Sequence, residues 1–518
     1  MLSNKFSLAV ALAAPLAFGA CGGESGKFDL NLVHKDCTGQ LDFMPPKGNL
    51  VVSVTGDGIG DPVSKSFAYT SRSGSVELPA IPFGNNRVVT VRAEANNTIL
   101  AWGQSAPFNL KEGSEPTVTV IMQGVDRFTG AADTNNGCIQ MRTARAGHVA
   151  VPMDDGDVLF VGGASTVNPS GAPTGLLKSA ELYDIGSGRF TALADACDGD
   201  VCYDAVWGRG VLLKNGSVLV TGGQSSVGGT VQAVDTAMLF DPATQKWTAL
   251  HMNAARFGHT ATLLRKSGKV IVAGGMDATG TVLSTTEIFD PATNTFTAGP
   301  ELAPLEAGLG AGRAFHAAVA ANDTTVMLAG GIDAAGSPAN FLAYFVENVD
   351  GRITHNPARN VALKSAALLP GAGMVKGKFV VAGGALEWRN DRLSGASKAA
   401  QWLEVSQTST TDSSFDLAFS RAAPCAVSLD DNRLLIAGGI NATGSSVDYA
   451  EVVAWNASNQ RVEQSFIGGS QSASKMSLAR GYASCTNLGD GRILVAGGSD
   501  GSAAASKSAE IYTIRQFK

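Results

Sequence analysis

Seven copies of one short sequence constrain the fold of this chain more than any other feature. Each copy is an apolar run that ends in two glycines. The glycine pairs are Gly162-Gly163, Gly222-Gly223, Gly274-Gly275, Gly330-Gly331, Gly383-Gly384, Gly438-Gly439 and Gly497-Gly498. Intervals of 60, 52, 56, 53, 55 and 59 residues separate successive pairs. A period this long and regular indicates one supersecondary unit that is built seven times.

The residues around each glycine pair predict four antiparallel strands per copy. Before the apolar run stands a tight-turn signal such as Asp155-Gly156, Asn215-Gly216 or Asp490-Gly491, which predicts a hairpin between the first two strands. After it come alternating stretches such as 286–290, which turn at Asp-Pro-Ala-Thr into an aromatic residue that begins a fourth strand. A four-stranded meander cannot bury both of its faces alone, so we expect neighbouring copies to pack on one another.

This pattern resembles the kelch repeat, in which Gly-Gly closes the second strand, Glu-x-Tyr/Phe-Asp-Pro lies on the third and Trp or Phe opens the fourth. The resemblance implies an all-β fold, a seven-bladed kelch-type β-propeller over residues 138–518. The fifth copy departs from the pattern at 362–369, where ALKSAALL replaces the Arg-x-Gly-His found elsewhere. Because Cys138–Met141 precedes Arg145 as Ala249–Met252 precedes Arg256, we predict that Cys138–Met141 is the outer strand that completes the seventh blade.

The N-terminal residues predict export. Residues 1–20 contain Lys5, an apolar run and small residues before Cys21, the pattern of a lipoprotein signal peptide. The stretch Phe18–Cys21 resembles a bacterial lipobox, which implies lipidation of Cys21 and a lipid anchor in the outer membrane or at the cell surface. A flexible tether follows at 21–27. Ordinary secretion without a lipid is the alternative.

Residues 28–125 alternate apolar and polar residues at short intervals without the long period. About seven strands at this spacing predict a small immunoglobulin-like or transthyretin-like β-sandwich. The polar stretch 126–137 indicates a linker to the propeller. We interpret the sandwich as a spacer or accessory domain.

The cysteine count agrees with an oxidising compartment, because removing Cys21 from seven cysteines leaves an even number. We predict disulfides Cys197–Cys202, Cys425–Cys485 and Cys37–Cys138. The first closes a short loop, and the second joins nearly the same point of the first strand in adjacent copies. Buried free thiols are the alternative for the second pair.

The resemblance makes copper the cofactor to consider, since some kelch propellers similar to galactose oxidase are copper oxidases. Such a site needs two tyrosines, two histidines and a cysteine on the propeller axis. His148, His259 and His316 instead share one repeat position, which predicts packing between blades. We therefore expect no metal, no cofactor and no catalytic residue of that kind.

Two sets of residues are candidates for ligand binding. Asp277, Asp333 and Asp500 recur two places after the glycines and would form a ring of oxygen ligands; alternatively, they satisfy backbone groups where the strands end. Trp388, Arg389 and Arg392 place an aromatic residue among basic groups in a long loop. One face of the propeller should carry the links from the second to the third strand and from the fourth strand to the next copy. These links are longer than those on the other face, so we expect ligand contacts there.

The expected function is non-enzymatic binding of a protein or glycan at the cell envelope. Net charge is -6, and the sequence shows neither a nucleic-acid patch nor a phosphate loop or nucleophile elbow. We expect a monomer whose contact with the membrane is the lipid anchor alone. A carbohydrate-active enzyme, an oxidase, hydrolase or sugar epimerase, is the alternative, because one fold hosts many activities.

Overall fold

The computed structural model describes residues 5–10, 25–37, 42–43, 47–69, 74–76, 80–167, 172–304, 311–357, 360–364, 367–389, 392–404, 413–467, 475–502 and 504–515. Its regular elements within these ranges are β-strands. No helix in these ranges is long and apolar enough to cross a membrane. The chain divides into two compact units, one of residues 1–140, 184–190 and 509–518 and one of residues 141–183 and 191–508.

The first unit contains two sheets that share one core. One sheet has the strand order Thr117–Ile121, Asp29–Val33, Lys5–Val10, Gly74–Val76. The other has the order Gln123–Gly124, Thr98–Gln104, Gly84–Ala95, Gly48–Thr55, Val63–Tyr69, and Phe108–Leu110 pairs with Gly84–Ala95. Ser25–Gly26 pairs with Ile81–Pro82. Alternating residues of both sheets, such as Leu32, Val52 and Val120, are buried in one cluster, as their period of two predicts.

The C-terminal strand corrects our prediction of the closing strand. Ala509–Thr513 pairs antiparallel with Arg127–Gly130, and not with Cys138–Met141. Between those two segments the chain reverses, and the Ile139 amide donates to the Ala131 carbonyl at 3.0 Å. The sequence did carry the signal, since RFTG at Arg127–Gly130 repeats RFTA at the fourth strand Arg189–Ala192. We missed it because the surrounding polar residues indicated a linker.

The second unit repeats one sheet design, with strands antiparallel in chain order. First strands are Val149–Pro152, Arg209–Leu212, Thr260–Leu263, Ala317–Ala320, Gly371–Val375, Cys425–Asp430 and Ser484–Asn487. Second strands are Val158–Val161, Val218–Thr221, Val270–Ala273, Thr325–Ala329, Lys378–Ala382, Arg433–Ala437 and Arg492–Ala496. Third strands are Ala180–Asp184, Thr236–Asp241, Thr286–Asp290, Phe341–Glu347, Ala399–Glu404 and Ala450–Asn456. Fourth strands are Arg189–Ala192, Lys246–His251, Thr295–Ala298, Ile353–His355, Ser414–Asp416 and Arg461–Ser465.

Shorter strands connect these elements. Ala164–Val167 pairs with Pro173–Leu176, Gln224–Val227 with Thr230–Ala233, Ala385–Arg389 with Arg392–Ala396, and Cys197–Asp198 with Val201–Cys202. Val361–Ala362 adds to the third strand of the fourth copy. The first three of these hairpins link a second strand to a third strand, where we expected long connections.

The glycine pairs join each copy to the next. Both glycines have positive φ in every copy, and a Cβ on the first would overlap a backbone carbonyl of the following copy. The amide of the second glycine donates to that same carbonyl at 2.7–3.0 Å. The accepting residues are Ala205, Arg256, Arg313, Ala367, Arg421, Arg480 and Arg145. The last contact, from Gly498 to Arg145 at 3.0 Å, returns to the first copy, so the copies form a closed ring.

Buried ion pairs brace several copies internally. The guanidinium of Arg421 donates to the Glu451 carboxylate at 2.6 Å and to the Gly438 carbonyl at 3.1 Å, and both charged side chains are fully buried. Arg145–Glu181 and Arg256–Glu287 repeat this arrangement at 2.7 and 2.8 Å. Each pair holds the end of the second strand against the third strand. We did not predict these pairs, although both residue types recur in register.

The predicted disulfides are present among the described residues. Their Cα atoms are 4.7 Å apart in Cys37–Cys138, 4.0 Å in Cys197–Cys202 and 5.7 Å in Cys425–Cys485. The third bond joins the first strands of the sixth and seventh copies, as their shared position in the repeat predicted. The distances in Cys37–Cys138 and Cys425–Cys485 lie within the usual range for a disulfide, and the distance in Cys197–Cys202 is slightly shorter.

Candidate functional site in the central channel

One residue at the entrance to each first strand adopts the left-handed conformation. These residues are Gly147, Trp207, Gly258, Phe315, Leu369, Ala423 and Tyr482, with φ between 47° and 65°. Their backbones contact one another around the ring, since the Trp207 amide donates to the Gly147 carbonyl at 2.9 Å and the Gly147 amide to the Tyr482 carbonyl at 3.0 Å. The entrance residues therefore surround the axis, one from each copy.

Three of these entrance residues are aromatic, although glycine suffices at the same position. A left-handed conformation costs a non-glycine residue on the order of 1–2 kcal/mol. The rings cover the neighbouring glycines, because a Cβ on Gly147 would overlap Trp207 and one on Gly258 would overlap Phe315. Trp207 also meets Tyr482 edge to face, with 4.7 Å between ring centroids. Strained residues that a fold does not require often mark a functional surface.

A channel of about 770 Å³ runs inward from these residues along the first strands. Small side chains line its wall, including Ala150, Ala318, Ala372 and Ala426. The hairpins of the first two copies contribute Pro173, Val231 and Gln224 to the lining. A volume of this size suits a small molecule or a few sugar units.

Arg209 is the charged residue of the channel wall, as far as the lining is described. Its side chain is half-buried, and one guanidinium nitrogen donates to the Gly208 carbonyl at 2.9 Å. Burial lowers the pKa of Arg209, while the nearby Tyr203 opposes that change. Burial raises the pKa of Tyr203 and the nearby Asp204 adds to the rise, so the phenol is neutral at pH 7 and does not supply Arg209 with a counter-charge.

The three recurrent histidines connect copies, as we predicted. His148 Nε2 lies 2.9 Å from Ser484 Oγ, His259 Nε2 3.0 Å from Thr221 Oγ1 and His316 Nε2 2.8 Å from Thr260 Oγ1. Burial lowers the pKa of all three, to about 3 for His148, so each imidazole is neutral at pH 7. In the described part of the chain, no group of three potential metal ligands comes together.

Comparison with known proteins agrees with this geometry. The family model of the kelch motif matches residues 261–303, which span most of the third copy. Residues 261–303 therefore carry a kelch motif, which agrees with the kelch-repeat β-propeller that the sequence pattern predicts. No curated protein matches it in sequence.

Two solved structures resemble the propeller protein at low sequence identity. A fungal alcohol oxidase of the AA5 family, in complex with copper, has a TM-score of 0.51 and 16% identity over 72% of this chain and 75% of its own. The protein YjhT has a TM-score of 0.47 and 17% identity over 63% of this chain and 98% of its own. At such identities the oxidase supports the fold alone.

The predicted ring of acidic residues lies in turns of the propeller. Asp277 Oδ1 accepts from the amides of Thr279 and Thr281 at 2.8 and 2.9 Å, and Asp333 and Asp500 accept amides of their own turns in the same way. Burial raises the pKa of Asp277, but a hydrogen bond from the Thr279 hydroxyl and the hydrogen bonds from the amides outweigh it, so the pKa is lowered. The carboxylates therefore satisfy the backbone where strands end, which was the alternative; ligand binding by them stays a prediction.

The predicted residues Trp388 and Arg389 end one strand of a hairpin, and Arg392 begins the other. Their side chains lie outside the described part of the structure. The hairpin starts beside a first-strand entrance, because Ala385 bridges to Leu368. Equivalent bridges, such as Ala164 to Ala146 and Gln224 to Val206, put the other second-to-third links at the same end of the channel. These links thus share one end of the channel, as strand direction predicted, whereas ligand binding at that end stays a prediction. Sequence reasoning did not single out Trp207, Arg209, Phe315 or Tyr482.

Proposed function

We propose that this protein is an exported lipoprotein whose seven-bladed kelch propeller, preceded by a small β-sandwich, binds a protein or glycan at the cell envelope without catalysis. The closed ring of glycine contacts supports seven blades. The two sheets over one core support the sandwich. Disulfides support export, because they persist in oxidising compartments.

The observation that carries the binding function is the channel entrance. Trp207, Phe315 and Tyr482 adopt a strained left-handed backbone conformation at a position where the fold accepts glycine. They surround a channel large enough for a small ligand or part of a larger one. Aromatic side chains with polar tips are the residues that dominate binding surfaces. Hairpins on the same face, including Ala385–Arg389 with Arg392–Ala396, enlarge the surface available to a partner.

The experiment is binding by the purified mature protein to a glycan array and to proteins of an envelope extract. We expect a ligand whose affinity falls in Phe315→Ala or in a Trp388→Ala/Arg392→Ala variant and not in Asp154→Ala, which lies in a turn on the opposite face. Retained affinity in both variants, with loss in Asp154→Ala, would contradict the assignment of the face. Turnover of a sugar panel or a stoichiometric redox metal would favour the carbohydrate-active enzyme, the alternative function.

Lipid anchoring is tested separately at Cys21, which lies outside the described residues. Cleavage before Cys21 would remove the strand Lys5–Val10 but leave Asp29–Val33 paired in parallel with Thr117–Ile121, so its sheet keeps a partner. We expect Cys21→Ser to move the protein from the detergent-extracted membrane fraction to a soluble or unprocessed form. A wild-type protein that is soluble and carries no acyl group would exclude the anchor.

A further inference from the structure

The first strand of the second copy does not need a charged side chain at the position of Arg209 in order to form. Arg209 is the first residue of this strand. The equivalent residues of the other copies are Val149, Thr260, Ala317, Gly371, Cys425 and Ser484. Six copies therefore build the same strand without a cation. The guanidinium in the second copy has to be explained by something other than the architecture of the repeat.

Arg209 also differs from the buried arginines that brace the copies. Arg145, Arg256 and Arg421 each lie within 2.8 Å of a glutamate oxygen. Among the described residues, the side-chain hydrogen bond of Arg209 goes to the Gly208 carbonyl, and no described carboxylate forms an ion pair with it, although Arg209 lines the channel. A guanidinium has five N–H donors, so this contact leaves capacity for a ligand. A half-buried guanidinium is most stable beside an anion, and a planar carboxylate fits its fork best.

The surroundings of Arg209 indicate the rest of the ligand. Trp207, two residues earlier in the chain, lines the channel at its entrance with Tyr482. Burial raises the pKa of Tyr482 to about 12, so its hydroxyl stays protonated and can donate. Thr262 and Gln224 line the same channel and offer further hydrogen-bonding groups. The channel thus combines one cation, apolar ring surfaces and neutral polar groups.

We propose that the channel binds a sugar ring that carries one carboxylate, a uronic-acid-type residue, with the carboxylate on Arg209 and the ring against Trp207 and Tyr482. This inference rests on the proposed binding function and names its ligand class. The hydroxyl groups of such a sugar match the neutral polar groups of the wall. A free monosaccharide and the terminal residue of a glycan share this chemistry.

The test is calorimetric titration of the full mature protein with methyl glucuronide, methyl galacturonide and the matched neutral methyl glycosides, followed by oligosaccharides that end in the same acids. We expect the acids to bind at least 10-fold more tightly than the neutral sugars. Tighter binding of the oligosaccharides identifies a glycan terminus, and equal binding identifies the free sugar. Equal affinity for acids and neutral sugars would overturn the proposal, and so would competition by acetate or phosphate at the affinity of the acids.

Three variants assign the residues. Arg209→Gln should weaken binding of the acids by about 10- to 100-fold, the effect of a lost charge-assisted hydrogen bond, and leave the neutral sugars unchanged. Trp207→Gly should fold, because Gly147 and Gly258 occupy its position, and should weaken acids and neutral sugars alike. Arg265→Gln, an exposed control in a turn on the opposite face, should bind as the wild type does. Wild-type affinity in Arg209→Gln would refute the anchoring role.

The same measurements separate this inference from the proposed function. A ligand found by array or extract that binds Arg209→Gln and Trp207→Gly normally would leave the binding function intact and overturn the uronic-acid site. Binding of uronic acids with chemical turnover would keep the site and overturn the non-enzymatic function.

Discussion

Removing the Glu451 carboxylate should destabilise the protein far more than removing the ion pair as a whole. Glu451 is fully buried and accepts from Arg421 at 2.6 Å and from the amides of Ala418 and Phe419 at 2.6 and 3.2 Å. In Glu451→Gln the amide can still accept one of these hydrogen bonds, but the Arg421 guanidinium is left buried without a counter-charge. Breaking a buried pair in this way costs about 3–5 kcal/mol.

The fifth copy supplies the matched control. Gln401 occupies the position of Glu451, and Ala367 occupies that of Arg421. Gln401 accepts from the Lys364 amide at 3.0 Å, so the neutral arrangement still satisfies the backbone. The double variant Arg421→Ala/Glu451→Gln copies this arrangement into the sixth copy. We expect it to lose about 2 kcal/mol, less than the single variant Glu451→Gln, so the costs of the two substitutions should be strongly non-additive.

The assay is a double-mutant cycle at pH 7, with the free energy of unfolding taken from denaturant titrations followed by tryptophan fluorescence. The two single variants and the double variant are compared with the wild type. If the single costs add up within about 0.5 kcal/mol, the charges do not depend on each other and the reasoning is refuted.

Three further outcomes are expected, each measured by the same unfolding titration. Phe128→Ala should cost about 3 kcal/mol, because Phe128 is buried against Tyr512 at 5.3 Å; no loss would contradict the closing strand. His148 has a folded pKa of about 3, below its unfolded value, so it contributes stability above pH 6.5 that is lost as pH falls. When pH falls from 7.5 to 5, the free energy of unfolding should therefore decrease by about 2 kcal/mol less in His148→Gln than in the wild type. Identical decreases would contradict the buried neutral imidazole. Replacing Cys425 and Cys485 by serine should cost roughly 4 kcal/mol, since the bond closes a loop with a sequence separation of 60; an unchanged free energy would show that the bond constrains nothing.

The sequence alone determined the repeat and its internal turns. Glycine pairs and Asp-Gly or Asn-Gly turns act through the φ of a few adjacent residues, so their effect can be read locally. The turns at Gly156, Gly216 and Gly491 and the pairs of glycines all have the positive φ that this chemistry requires. Cysteine position within the repeat likewise predicted Cys425–Cys485, because equivalent positions in adjacent copies are neighbours.

Only the tertiary structure decided which segment closes the ring and which residues meet at the axis. Arg127–Gly130 and Cys138–Met141 both had plausible patterns, and the choice between them depends on pairing with a strand nearly 400 residues away along the chain. Trp207 and Arg209 resemble ordinary residues at the start of a strand, since nothing local shows that Gly147 and Tyr482 lie beside Trp207. A residue at the axis is defined by neighbours from other copies, and sequence periodicity gives its position in the repeat but not the chemistry that it faces.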